Sequence, residues 1–291
     1  MIRVLCEHGA LASVLVKHAR DAFVSDSVIA SQWKQLNFSA PPDFSRALSE
    51  YDRFLEIVAG CGCEIVRLSQ GNGLTLDSIY TRDAAVVSAD GVILASMGKR
   101  SRAAEPPEQE QELRRRGLPI AGSIIPPGRL EGGDLIWLDN RTLAVGLGAR
   151  TNDEGIRQLK ALLNGSFDEL MVVPLPDYPG QHDVMHLMSL ISPVDRDLAV
   201  INSRLLPEAF RQKLLHRGYQ FVDVPDAEFE TMGTNVLALR PRECVMLTGN
   251  PKTCAALERA GAQVHVYEGI EISLKGGGGP TCLTRPLARL A

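Results

Sequence analysis

The chain has 291 residues, 45% of them hydrophobic and 23% charged, and a formal net charge of -4. These values fit an ordinary soluble globular protein, and the acidic balance argues against a general nucleic-acid binder, which carries a basic patch or stripe. No apolar run approaches transmembrane length, Met1 to His8 lacks the apolar core of a signal peptide, and the six cysteines form no zinc-type pair of pairs. A reduced, cytoplasmic chain without disulfides is expected.

In chain order, Ile2-Arg-Val-Leu5 reads as a strand able to pair with the C-terminal segment. Ala12 to Pro42 fits no recurring pattern and is expected to form a lid or an extra helix. From Leu48 onward one unit recurs: an amphipathic helix, a glycine, then a strand. The helices span Leu48 to Ala59, Glu108 to Arg116, Thr151 to Asn164, Pro207 to Arg217 and Pro251 to Ala260. Gly60, Gly117, Gly165, Gly218 and Gly261 follow them as left-handed caps. Thr151-Asn-Asp-Glu154 has the form of a capping box. Ala103 to Glu112 reads as solvated loop and helix start.

Between the helices lie hairpin-like pairs. Ala84 to Val87 turns through Asp90-Gly91 into Val92-Ile-Leu94, a strong hairpin signal. Leu135 to Leu138 pairs with Leu143 to Val145, Leu190 to Ser192 with Leu198 to Ile201, and Asn235 to Leu239 with Cys244 to Leu247. Five strand-rich units with one helix each close most simply as a ring. The competing reading is an open α/β sheet. Residues 1-291 are taken as one catalytic domain.

Polar groups stand at the junctions between strands. They are Asp77 and Asp83 in Asp-Ser-Ile-Tyr-Thr-Arg-Asp, Glu131 and Asp134 in Glu-Gly-Gly-Asp, His186 in Met-His-Leu-Met, and Cys282 after Gly276 to Gly279. A thiol behind a glycine run suits a nucleophile held against a small ligand, and also suits a buried cysteine packed as a small hydrophobe. Cysteine with histidine supplies a nucleophile and an acid-base group. Neighbouring carboxylates suit a planar guanidinium.

Leu-Glu-Gly-Gly-Asp, Met-His-Leu and a glycine run ending in Cys-Leu-Thr, in that order, resemble the guanidino-group-modifying (pentein) enzymes, with the closest likeness to dimethylarginine dimethylaminohydrolases. The resemblance covers about residues 76 to 286 and implies a five-bladed α/β propeller. It implies a catalytic set of Cys282, His186 and Glu131. Asp77 and Asp83 would hold the guanidinium, with Asp134 also at the substrate, and Arg102 and Arg150 would hold its α-carboxylate. Two departures stand out. Arg82 replaces an acid found in the hydrolases, and Met188 replaces a guanidinium-holding aspartate of arginine deiminases and amidinotransferases, leaving an open apolar side to the pocket.

The expected reaction is hydrolysis of the guanidino group of arginine or an N-substituted arginine through a covalent amidino-cysteine, giving a ureido product and an amine or ammonia. The expected partner is thus a small arginine-like molecule, with no metal, organic cofactor, nucleic acid or membrane. Amidino transfer to an acceptor amine and an arginine deiminase or dihydrolase activity are the enzymatic alternatives. A catalytically idle guanidino-binding protein and a zinc hydrolase using His182 and His186 are the others. Exposed strand edges of such units often pair, which makes a homodimer the assembly to look for.

Overall fold

The computed structural model describes residues 3-163, 165-177 and 185-291, without side chains at residues 3 and 4. Met1, Ile2, Asn164 and His182, named above, lie outside the described residues.

In chain order the strands are β1 (Arg3–Val4), β2 (Ala10–Val16), β3 (Glu64–Arg67), β4 (Ala85–Ser88), β5 (Gly91–Leu94), β6 (Ile120–Ser123), β7 (Leu135–Asp139) and β8 (Thr142–Leu147). They continue as β9 (Glu169–Pro174), β10 (Ile191–Asp195), β11 (Leu198–Ile201), β12 (Gln220–Asp223), β13 (Leu237–Arg240), β14 (Glu243–Leu247), β15 (Gln263–Tyr267) and β16 (Thr284–Leu290). The helices are α1 (Ala19–Phe23), α2 (Asp26–Gln32), α3 (Phe44–Gly60), α4 (Glu105–Arg115), α5 (Asp153–Leu162), α6 (Glu208–His216), α7 (Asp226–Phe229) and α8 (Pro251–Arg259).

These strands form five separate sheets, not one open sheet. Four have the orders β4-β5-β6, β7-β8-β9, β10-β11-β12 and β13-β14-β15; the fifth is β1-β16-β2-β3. In each three-stranded sheet the first two strands are an antiparallel hairpin and the third adds in parallel. Parallel addition needs a crossover, which α4, α5, α6 and α8 supply. Neighbouring sheets touch: β16 packs on β4, β2 on β13, β13 on β10, and β7 on the turn Leu187–Ser189. Trp137 of β7 donates through Nε1 to the carbonyl of Val87 in β4 (3.0 Å).

The helices form for local reasons. α3 begins at Asp43, whose side chain accepts the amide of Arg46, and it buries Ala47, Tyr51, Phe54, Leu55 and Val58 along one stripe. That spacing is the apolar face of a 3.6-residue period. Phe54 is fully buried against Tyr51 and Tyr267, so truncating it to alanine costs about 3–5 kcal/mol.

Four expectations need correction. Ala12 to Pro42 is not wholly an extra element: its first residues belong to β2, which pairs along most of β16, and α1 and α2 follow. Thr151 does not cap α5. Asn152 does, accepting the amide of Gly155, because the Thr151 hydroxyl is committed to Asp134 at 2.7 Å. Gly60 is the last residue of α3, and the left-handed conformation falls to Gly62, φ 84°. Ala103 to Glu112 is not a solvated stretch: Glu105, Gln109 and Glu112 are buried, the first because it pairs with Arg102.

Candidate active site

Asp83, Asp134, His186 and Cys282 precede β4, β7, β10 and β16 at the same end of four sheets. That topology gathers residues as far apart in sequence as Asp83 and Cys282. One cavity of about 180 Å³ is lined by Asp77, Asp83, Arg102, Arg150, His186 and Cys282, with Lys99, Asn235 and Gly276 to Gly278. Glu131 and Asp134 lie behind the wall, fully buried.

Glu131 is the hub. Its Oε2 accepts from His186 Nε2 at 2.9 Å and Arg150 Nη1 at 2.8 Å, and its Oε1 accepts the Gly98 amide at 2.8 Å. Burial alone would raise its pKa, but His186, Arg150 and Arg102 hold it well below the usual carboxylate range. Burial would lower the pKa of His186, but Asp83, Asp134 and Glu131 outweigh it and raise the imidazole to about 9. At neutral pH the pair is therefore carboxylate and imidazolium.

Asp134 stands one layer further in. Its Oδ1 accepts the Leu187 amide at 3.0 Å and its Oδ2 the Thr151 hydroxyl at 2.7 Å. Burial pushes its carboxyl up to about 6. These bonds fix the turn that carries His186, so Asp134 is a positioning residue and not a wall of the cavity. Gly133 must be glycine for the same reason: a β-carbon there would sit 2.7 Å from Asp83 Oδ1 and 2.8 Å from the His186 ring.

Asp83 Oδ2 lies 2.6 Å from Arg102 Nη1, and Oδ1 accepts the Gly133 amide at 3.1 Å. Arg102 also donates from Nε and Nη2 to both oxygens of Glu105, each at 2.8 Å, and from Nη2 to the Tyr80 carbonyl. Only part of its guanidinium therefore remains for a ligand. Asp77, on the tight turn Leu76–Ile79, faces Lys99 Nζ at 2.9 Å. Lys99 also reaches the Leu36 carbonyl at 2.9 Å, tying the segment after α2 to the cavity.

Cys282 sits between the glycine run and β16. Burial and the Asp83 carboxylate raise its thiol pKa, while Thr281, Asn235 and Arg82 oppose them. Asn235 Nδ2 is 3.6 Å from Sγ, and its Oδ1 takes the Thr281 amide at 3.0 Å and hydroxyl at 2.9 Å. The glycine run serves close packing as well as ligand approach: a β-carbon on Gly278 would strike Tyr80 at 2.4 Å, and Gly277 has φ 81°.

Met188, expected to leave an apolar side to the pocket, does not line it, and Arg82 does not face it either. Arg82 is fully buried and turns from the cavity to donate to the Thr281 carbonyl at 3.0 Å and to Glu7 at 3.1 Å. Met188 packs into the core with Leu187, Ile191 and Phe210. The apolar part of the wall comes instead from Leu36, Met185, Phe229 and Met232. Sequence reasoning missed Asn235, Lys99, Glu105 and Thr151. Only Glu105 left a signal, the three-residue spacing from Arg102 that lets an arginine and a glutamate meet.

Ligand atoms of Asp83, Glu131 and His186 lie within 4.8 Å of one another, close enough to share a metal ion. Each carboxylate already faces a guanidinium, and a metal cation would be repelled by both. The donor set fits proton sharing and an organic cation better.

A family model described as N,N dimethylarginine dimethylhydrolase, eukaryotic, matches residues 25–289. The chain belongs to that family. The chain is 29% identical over 219 residues to the N(G),N(G)-dimethylarginine dimethylaminohydrolase of Streptomyces coelicolor, covering 75% of this chain and 78% of that one. Among solved structures, the dimethylarginine dimethylaminohydrolase of Pseudomonas aeruginosa, complexed with citrulline, superposes with a TM-score of 0.76 at 21% identity, over 94% of this chain and 98% of that one. The product-bound N-terminal domain of ArgZ, a cyanobacterial arginine dihydrolase, gives 0.80 at 17% identity over 95% and 97%. Family membership, with arginine deiminases also among the relatives, supports a hydrolase acting on C–N bonds. Among the described residues no helix is long and apolar enough to cross a membrane.

Proposed function

We propose that the protein is a cysteine-dependent hydrolase of an arginine-like guanidine, N-substituted or not. The observation that carries this reading is the convergence on one cavity of a thiol, a carboxylate and an imidazole held protonated by Asp83, Asp134 and Glu131. We also read the five mutually packed sheets as the blades of an α/β propeller, and residues 1-291 as one catalytic domain.

The substrate guanidinium lies against Asp83 and Asp77. Its positive charge offsets the Asp83 carboxylate that raises the thiol pKa, so binding itself favours the thiolate. Cys282 sulfur then bonds to the guanidinium carbon. Collapse of the tetrahedral adduct breaks a C–N bond, and the departing amine takes its proton from imidazolium His186. Neutral His186 next removes a proton from water, whose oxygen attacks the amidino-cysteine carbon. The C–S bond breaks, returning the thiolate and releasing a ureido product. Glu131 stabilises the imidazolium and holds its orientation, as the third member of a triad does. Arg150, with the free part of Arg102, faces a substrate carboxylate.

Turnover of arginine, methylated arginines and agmatine, with ammonia, alkylamine and ureido product assayed separately, tests the reading. Ureido product with a stoichiometric amine supports it. Amidino transfer to added glycine or lysine, without ureido product, would make the protein an amidinotransferase instead. Absence of both rejects catalysis.

A further inference from the structure

A second, larger cavity of about 390 Å³ lies at the other end of the same hairpins, lined by the β4–β5 turn at Ser88 and Gly91 and by Asn140 after β7. Arg285 and Arg289 of β16 both line it, together with Glu7. The two arginines are 5% and 3% exposed. Among the described residues neither forms an ion pair. Arg285 donates through Nη1 to the Ala85 carbonyl, and Arg289 through Nη1 to Gly9 and Ala238 carbonyls. Arg285 Nε and Arg289 Nε and Nη2 are buried and donate to no described atom.

Buried guanidinium groups are normally paired, because an isolated charge away from water is costly. Glu7, the carboxylate at this cavity, is already bonded to a third buried arginine, Arg82. Three guanidiniums thus share one carboxylate. Burial and repulsion from Arg82 lower the pKa of Arg285 to about 9, and burial chiefly lowers that of Arg289 to about 10. Both remain charged at neutral pH.

We propose that this cavity binds a compact oxoanion of phosphate size, held by Arg285 and Arg289. Planar guanidinium forks match such an anion. The site is distinct from the one containing Cys282 but is wired to it. Arg82, bound to Glu7, also donates from Nε to the Thr281 carbonyl at 3.0 Å, and its amide donates to the Cys282 carbonyl at 3.2 Å. An anion that draws the Arg285 and Arg289 charge away from Glu7 would strengthen the Glu7–Arg82 pair beside the thiol.

The test is thermal unfolding of the full chain in rising phosphate at constant ionic strength, for wild type, Cys282→Ala, Arg285→Met and Arg289→Met. The expected result is a midpoint that climbs with phosphate in the first two and loses at least tenfold in apparent affinity in each arginine variant. A flat wild-type response, or an equal rise in the arginine variants, overturns the proposal. Should those variants not fold, wild-type crystals grown in selenate decide: an anomalous peak between Arg285 and Arg289 is expected, and a peak confined to the Cys282 cavity or the outer surface contradicts it.

Discussion

Asp83 Oδ2 and Arg102 Nη1 lie 2.6 Å apart, and both residues are buried. The acid expected to hold the substrate cation is therefore already held by a cation of the protein itself. Arg102 in turn is gripped by both oxygens of Glu105. The three residues form a buried relay that presets Asp83 before a ligand arrives. Removing Arg102 leaves the buried Asp83 carboxylate and the buried Glu105 carboxyl, which burial already raises to about 8, without their partner. Arg102→Met is expected to cost about 3–5 kcal/mol, since breaking one side of a buried pair strands the other. Urea denaturation measures it. A loss under about 1 kcal/mol, the range of exposed pairs, would mean that the relay contributes little.

His186 has a pKa raised to about 9, from an ordinary 6.5. A raised folded-state pKa stabilises the fold fully below the unfolded value, and that stabilisation is lost as pH rises through the folded value. The stability gap between wild type and His186→Gln is thus widest below pH 6.5 and narrows as pH passes about 9. Activity follows the same upper limit, because the imidazolium that protonates the departing amine disappears there. A kcat/KM profile still rising above that pH would contradict this role.

Asn235 reaches the Cys282 sulfur at 3.6 Å and holds Thr281 through its oxygen. Asn235→Asp puts a carboxylate at nearly the same place and raises the thiol pKa further. At pH 7.5 the alkylation of Cys282 by iodoacetamide should slow by about tenfold for each added pKa unit. An unchanged rate would show that Asn235 has no electrostatic hold on the thiol.

Arg150 donates to Glu131 at 2.8 Å while lining the cavity. Its loss should harm every substrate through Glu131. It should harm guanidines that bear a carboxylate more, because a charge-assisted bond contributes about 1.5–3 kcal/mol. In Arg150→Met, the preference for arginine-type over agmatine-type substrates is expected to drop by about tenfold or more. Equal losses for both would assign Arg150 to Glu131 alone.

Much of this arrangement was legible in the residues. The helix-glycine-strand units and their hairpins are there as five sheets, because period and turn chemistry are local signals. Cys282, His186 and Asp83 stand at strand starts, as their neighbours suggested, and the structure brings them to one cavity. What could not be read depends on distance in space. The Ala10–Val16 strand is recognisable only by its pairing with β16 and β3. Thr151 looks like a helix cap until Asp134 claims its hydroxyl. Arg102 reads as a wholly free guanidinium until Glu105 and Asp83 engage part of it. Met188 reads as pocket wall until the turn after His186 swings it into the core.

The central claim is that Cys282 forms a bond to the guanidinium carbon during turnover. Peptide-mass mapping of protein acid-quenched during turnover of the best substrate tests it most directly. An amidino adduct should appear on the peptide carrying Cys282 in wild type and be absent in Cys282→Ser, which should bind substrate without turning it over. Turnover by Cys282→Ser at a substantial fraction of the wild-type rate would contradict the account.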